Sequence, residues 1–264
     1  MPEHASIDPA RFDAVLFDLD GVLTPTATVH AAGWKRAFDS YLEERAARTG
    51  APWTPFDVSS DYRTYVDGKP RVDGVISFLA SRGITLERGA SDDPPDRETA
   101  WGVGNRKDEI VNEVLRTDGV QAYPGSVALV HSLRAAGVRM AVVSSSKNCA
   151  AVLRAAGIGD LFDERVDGVV AEQIGLKGKP APDTYLEGAR RLGVEPAGAV
   201  VFEDALAGVA SGRAGGFGLV VGVDRHGEAA ALRDNGADVV VDDLSEVEVV
   251  GSPGAPDDGN GDPA

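Results

Sequence analysis

Apolar runs with no polar alternation recur along the chain at residues 14–17, 140–143, 199–202, 219–223 and 239–241. Such runs suit strands covered on both faces, as in a parallel sheet flanked by helices. Between them the spacing turns helical. Residues 126–136 set Val127, Leu129, Val130 and Leu133 on one face and stop at Gly137. Residues 148–156 stop at Gly157, and residues 182–192 open on Pro-Asp and stop at Gly193. Strands alternating with helices predict an α/β fold, a doubly wound parallel sheet with ligands outside the strands' carboxyl ends. Residues 26–115 interrupt this rhythm, with helical patterns near 29–48, 75–82 and 106–115 and no comparable strands. The predicted organisation is an α/β core of residues 1–25 and 116–250, an inserted α-helical cap of residues 26–115, and a disordered tail of residues 251–264. The insert leaves the core just after an acidic pair and returns before Tyr123, so it is expected to hang over the strand ends as a lid. Within it, residues 89–95 read as an acidic surface loop.

At 264 residues, 43% of them hydrophobic, the chain can bury a sizeable core. It has no apolar stretch long enough to span a bilayer and no basic-then-apolar start, so a cytoplasmic location is the default expectation. The formal charge of −16 argues against nucleic-acid and anionic-membrane partners, whose phosphates demand Lys and Arg. A small phosphorylated ligand is still compatible, because a few local cations outweigh a distant, screened negative surface. Cys149 is the only cysteine, which excludes an internal disulfide, and it reads as a packing residue.

Chemistry concentrates where the apolar runs end. The run 14–17 passes straight into Asp18-Leu19-Asp20-Gly21, two carboxylates one residue apart followed by a glycine that permits a sharp turn. Alone, this is equally a solvated turn. Three later clusters fall at corresponding places. Ser144-Ser145-Ser146-Lys147-Asn148 brings hydroxyls, an ammonium and an amide to a helix start, suited to phosphoryl oxygens or to a simple N-cap. Lys179, between Gly178 and Pro180, is rigidified ahead of a helix, although a surface turn has the same look. Glu203-Asp204 repeats the theme of strand into acids, and acids meeting Asp18 make a hard, oxygen-rich site of the kind Mg²⁺ prefers.

The ordered set Asp18-x-Asp20-Gly21, Ser144, Lys179 and Glu203-Asp204 resembles the four signature motifs of the haloacid dehalogenase superfamily, over most of the chain. The resemblance implies a doubly wound core with a helical cap, Mg²⁺, and phosphoryl transfer through an aspartyl-phosphate. Asp18 is then the nucleophile and Asp20 the acid-base, with Ser144 and Lys179 holding the transferring oxygens. Mg²⁺ would be held by the Asp18 carboxylate, the Asp20 carbonyl, Glu203 and Asp204. Loss of Lys179 is expected to hurt rate more than folding.

Within the superfamily the chain is more closely similar to the β-phosphoglucomutase family, on Asp20 to Ala27, His30, Trp34, Ser144-x-Ser146-Lys147-Asn148 and Lys179-Pro180-Ala181-Pro182-Asp183. That family's cap arginine in a Gly-x-x-Arg pattern corresponds to Gly68-Lys69-Pro70-Arg71, so Arg71 is expected on the substrate's distal phosphate, met from the core by Ser146, Lys147 and Asn148, with Ser145 as a further substrate-binding candidate. Thr26, His30 and Lys107 match positions that link cap closure to Asp20. Without the resemblance, His30 reads as a packed histidine and Arg71 as a surface one. Pro25 stands where the mutase family usually has Asp, and the insert is longer. The implied activity is interconversion of β-D-glucose 1-phosphate and glucose 6-phosphate through a bisphosphate. A Mg²⁺-dependent sugar-phosphate phosphatase is the alternative and a silent sugar-phosphate sensor a third. The implied partner is a small phosphorylated sugar, and the chain is expected to be a monomer or weak homo-oligomer.

Overall fold

Nothing polar interrupts residues 14–17, and the chain uses them as the middle of its sheet. The computed structural model describes residues 5–251. In chain order the elements are β1 (Ala5–Ile7), β2 (Ala14–Phe17), α1 (Thr26–Thr49), α2 (Arg71–Ser81), α3 (Ala100–Asp118), α4 (Pro124–Ala135), β3 (Arg139–Val143), α5 (Cys149–Ala155), β4 (Glu164–Val166), α6 (Gly168–Ile174), α7 (Asp183–Leu192), β5 (Ala199–Glu203), α8 (Leu206–Ala214), β6 (Leu219–Val223), α9 (Ala229–Asp234), β7 (Val239–Val241) and β8 (Val247–Val249). A six-stranded sheet has the order β4-β3-β2-β5-β6-β7, and every pairing in it is parallel. The chain winds from β2 outward through β3 to β4, then returns to lay β5, β6 and β7 on the other side. The switch point therefore falls at β2, where open α/β sheets leave a crevice.

Alternate side chains of each strand enter opposite layers, which is why the runs lack polar positions. Val15, Phe17, Val142 and Phe202 pack on one face with Leu129, Val130 and Leu133 of α4. Leu16, Val143 and Val201 pack on the other with Tyr185 and Ala189 of α7 and Val209 of α8. Cys149 is buried in the first of these layers.

Between β2 and α4 the chain is helical, and this unit has its own core. Trp34, Phe38, Tyr41 and Leu42 form a stripe on α1 that meets Val72, Val75, Phe78 and Leu79 of α2 and Val103 of α3. Phe38 sits 4.9 Å from Trp34 and 4.2 Å from Phe78, ring centre to ring centre. A short π-helical turn, Tyr62–Val66, precedes α2. Helix α3 runs through residue 115, where the insert was expected to end, and stops at Asp118.

Several expectations need correction. Helices α2 and α3 begin earlier than the hydrophobic pattern indicates, because glycines inside them mark close approach rather than a break. A Cβ on Gly74 would lie 3.2 Å from Val66, and one on Gly104 would lie 3.0 Å from the Arg71 side chain. Residues 89–95 are not simply a surface loop. Asp93 is buried and accepts hydrogen bonds from Thr99 Oγ1 at 2.6 Å and the Ala90 amide at 3.1 Å, so its charge anchors the loop to the start of α3. Strand β4, helix α6 and the separate parallel pair β1–β8 were not foreseen. Of the tail expected at 251–264, only Gly251 falls among the described residues, and residues 252–264 lie outside them.

Candidate active site

The register of the three central strands assembles the cluster. Phe17 is level with Val142 of β3 and Phe202 of β5, so the next residues, Asp18 and Glu203, emerge side by side. The Asp18 amide extends the ladder by donating to the Phe202 carbonyl at 3.0 Å. Beyond it the chain turns through Gly21 at φ +88°, and a Cβ there would overlap the Asp204 carboxylate. The glycine foreseen as a turn residue also makes room for an acid from another strand.

Lys179 lies behind this pair with its side chain out of solvent. Its Nζ donates to Asp18 Oδ1 at 2.5 Å and to Glu203 Oε1 at 2.5 Å. Burial alone would lower the Lys179 pKa, but Asp18 and Glu203 outweigh it and hold the ammonium above its usual range. Glu203 also accepts from Tyr185 Oη at 2.9 Å and from the Ala205 amide at 3.2 Å. These contacts explain how a fully buried glutamate ends an otherwise apolar strand. Burial raises the Asp18 carboxyl well above its ordinary value, with Lys179 opposing and the charges of Glu203 and Asp20 adding. Asp204 is raised by burial and then by Asp67, Asp18, Glu203 and Asp20.

Asp20 is held differently. Thr26 Oγ1 donates to its carboxylate, and Thr26 in turn lies 2.7 Å from the Thr24 hydroxyl. His30 Nε2 sits 3.5 Å from Asp20 Oδ1, too far for a hydrogen bond. The other ring nitrogen, Nδ1, lies 2.6 Å from Lys107 Nζ. An ammonium has only donors, so Nδ1 accepts, and the ring proton belongs on Nε2 facing Asp20. Burial and then the Lys107 charge push the His30 pKa down to about 4. Burial and then Arg71 push Lys107 down to about 8. Lys107 also lies over the Trp34 ring, 5.1 Å from its centre.

A cavity of about 630 Å³ separates the strand ends from the helical unit. Asp18, Asp20, Ser144 and Asp204 line one wall, and His30, Trp34, Gly68, Arg71 and Lys107 line the other. Ser145, Ser146 and Lys147 close its side. Thr26 and Asn148 are not among the lining residues; Thr26 sits behind Asp20, and Asn148 donates to Asp108 at 3.0 Å. Much of the polar segment after β3 joins the two units. Ser145 Oγ donates to the Gly68 carbonyl at 2.8 Å, and Lys147 pairs with Glu172 at 2.6 Å while covering the Trp101 ring. Arg71 is likewise engaged, by Asp108 at 3.0 Å and Asn105 at 2.8 Å.

Asp18, Glu203 and Asp204 each offer a carboxylate oxygen, and these atoms lie within 4.8 Å of one another. The donors are hard, and together with Asp20 they carry more negative charge than Lys179 neutralises. Both facts fit a hard divalent cation. The Asp20 side chain is not in this set.

The sequence reading missed three contributors. Asp67, just before Gly68, brings a further carboxylate from the helical unit and lines the cavity. Burial and then the Glu203 charge push its pKa up to about 7. Asp108, directly after Lys107, and Tyr185, a core aromatic of α7, were also passed over. Adjacency to Gly68 and Lys107 was the available signal for the two acids; Tyr185 carried none.

Residues 12–216 match the family model described as haloacid dehalogenase-like hydrolase. The chain is 53% identical over 242 residues to a protein of Mycobacterium bovis named β-phosphoglucomutase, covering 90% of this chain and 92% of that one. It is 32% identical to hexitol phosphatase A of Escherichia coli, covering 92% and 96%. Among solved structures, the β-phosphoglucomutase of Clostridium difficile superposes with a TM-score of 0.68 at 25% identity, over 89% of this chain and 92% of that one.

Proposed function

From the premise that the chain belongs to the haloacid dehalogenase-like hydrolases, we propose that it is a phosphosugar mutase interconverting β-D-glucose 1-phosphate and glucose 6-phosphate. The observation that carries this reading is the 53% identity to a named β-phosphoglucomutase over nearly the whole chain. A single cavity with acids at one wall and Arg71 and Lys107 at the other supports it. In this reading residues 26–115 serve as the cap, and the sugar phosphate lies between cap and core.

Asp18 is the nucleophile. Its carboxylate oxygen bonds to phosphorus as the ester P–O bond breaks, and Asp20 gives the leaving oxygen a proton. Asp18 is first phosphorylated in this way by the bisphosphate activator. In the other half-reaction the C6 hydroxyl of a bound β-glucose 1-phosphate loses its proton to Asp20 and attacks the phosphorus on Asp18, giving the bisphosphate, whose C1 phosphoryl group then passes to Asp18 and leaves glucose 6-phosphate. Thr26 orients Asp20 through its hydrogen bond while the His30 ring faces the carboxylate at 3.5 Å, and since both sit on α1 the acid-base is coupled to the cap. Lys179 fixes Asp18 Oδ1, and Ser144 faces the transferring oxygens. Mg²⁺, held by Asp18, Glu203, Asp204 and the Asp20 carbonyl, would offset the repulsion between an anionic nucleophile and an anionic phosphate. Arg71 reads the distal phosphate with its planar fork, aided by Ser146, Lys147 and Asn148.

A sugar-phosphate phosphatase is the second reading, favoured by the likeness to hexitol phosphatase A. The two differ in whether a sugar hydroxyl or water removes the phosphoryl group from Asp18, which the closed cap decides by excluding water. Incubation with Mg²⁺, β-glucose 1-phosphate and a trace of glucose 1,6-bisphosphate separates them. Glucose 6-phosphate formed without free phosphate is the expected result, and stoichiometric phosphate release would overturn the mutase reading.

A further inference from the structure

The far wall of the cavity holds an anion of the protein's own. Arg71 on α2 is mostly out of solvent, with 14% of its side chain exposed, and its Nη2 lies 3.0 Å from Asp108 Oδ1. The same oxygen accepts from Asn148 Nδ2 at 3.0 Å. Asp108 sits on α3 of the helical unit, whereas Asn148 precedes α5 of the core. One carboxylate oxygen therefore bridges the two units at the groups assigned above to the distal phosphate. The bridge is braced: Asn112 Nδ2 donates to Asp108 Oδ2 at 3.3 Å, and Asn105 takes the other Arg71 nitrogen.

We propose that Asp108 is a specificity-determining residue whose carboxylate occupies the place of the substrate's distal phosphate and competes with it for Arg71 and Asn148. The inference rests on the reading of Arg71 as the distal-phosphate residue. A guanidinium fork accepts a carboxylate or a phosphate with similar geometry, so charge decides the exchange. A carboxylate brings one negative charge and two oxygens. A phosphate monoester near neutral pH brings close to two charges and three oxygens, enough to displace it; a sugar hydroxyl brings no charge and cannot. Asp108 thus lowers the apparent affinity for every ligand by the fraction of time it holds Arg71, and it sets the threshold that a neutral ligand fails to cross. It also latches cap to core through Asn148.

The test is a calorimetric titration of the full chain in MgCl₂ with glucose 6-phosphate, without bisphosphate activator, on the wild type, Asp108→Asn, Arg71→Ala and the double variant. Asp108→Asn should bind about three- to fivefold more tightly, the scale of a partly exposed ion pair. The double variant should gain nothing over Arg71→Ala. Asp108→Ala, with its urea midpoint measured alongside, should shift affinity in the same direction. Unchanged or weaker binding by Asp108→Asn, or a gain that survives without Arg71, would overturn the proposal. Arg71→Ala binding as well as wild type would sink the phosphate-site reading itself, an outcome separate from failure of Asp108 alone. Each titration is repeated with Asp18→Asn added, so that hydrolysis of glucose 6-phosphate, which the phosphatase reading allows, contributes no heat and loss of the mutase reading leaves the affinities readable.

Discussion

Lys179 shows how one side chain serves stability and chemistry together. It is sealed between Asp18 and Glu203, and removing it leaves two buried carboxylates facing each other. Sequence alone suggested that rate would suffer more than folding; the geometry makes both suffer. Lys179→Met should destabilise the fold by about 3–5 kcal/mol in urea unfolding at neutral pH, with Mg²⁺ recovering part of the loss. A wild-type midpoint would refute the buried-pair account. The motif acids Asp18, Asp20, Glu203 and Asp204 were legible because each ends an apolar strand. Asp67 and Asp108 were not, since an acid on a helical insert looks like a solvated one until packing turns it inward. Arg71 was legible as a cation, but its engagement by an internal carboxylate depends on two helices whose relative placement no local pattern specifies.

At the scale of elements, strands with uninterrupted apolar runs were readable and the others were not. β4 is Glu164-Arg165-Val166, an edge strand whose outward residues are charged, and β1 and β8 are three residues each, below the length at which alternation is distinguishable from chance. Helix α7 carries a separate charge device. Glu187 accepts from Arg190 and Arg191, and these hydrogen bonds, led by Arg190, hold its carboxyl down to about 2. A carboxyl held below its ordinary value of 4.5 stabilises the fold fully above that pH, and the contribution fades as pH falls toward about 2. Glu187→Gln should therefore cost about 1 kcal/mol at pH 7, with the gap to wild type narrowing below pH 4.5; a gap that widens in acid contradicts it. Where cap meets core, Gly178 lets Pro70 approach so closely that a Cβ would overlap the proline ring. Gly178→Ala should cut turnover by about tenfold or more through misplacement of α2 and Arg71, while steady-state kinetics equal to wild type would show that this seam is irrelevant to closure.

On the scale of the whole molecule, a chain with a formal charge of −16 gathers Arg71, Lys107, Lys147 and Lys179 around one cavity and its own acids. Local placement overrides net charge, as it must if the ligand is a phosphorylated sugar. The helical unit is tied to the strand-end segments by Ser145 to Gly68, Asn148 to Asp108, and Arg63 to Glu228, so the two units meet at the site itself. The parallel register that sets Asp18 beside Glu203 was implicit in the apolar runs, whereas the closed arrangement of the two units was not, because it depends on contacts between segments distant in sequence. The central claim is that Asp18 takes and gives up the phosphoryl group. The measurement that tests it most directly is the turnover of Asp18→Asn, an isosteric change, with β-glucose 1-phosphate, Mg²⁺ and the bisphosphate activator. Turnover should fall at least about a thousandfold with the urea midpoint retained or raised, and turnover within about tenfold of wild type would contradict the account.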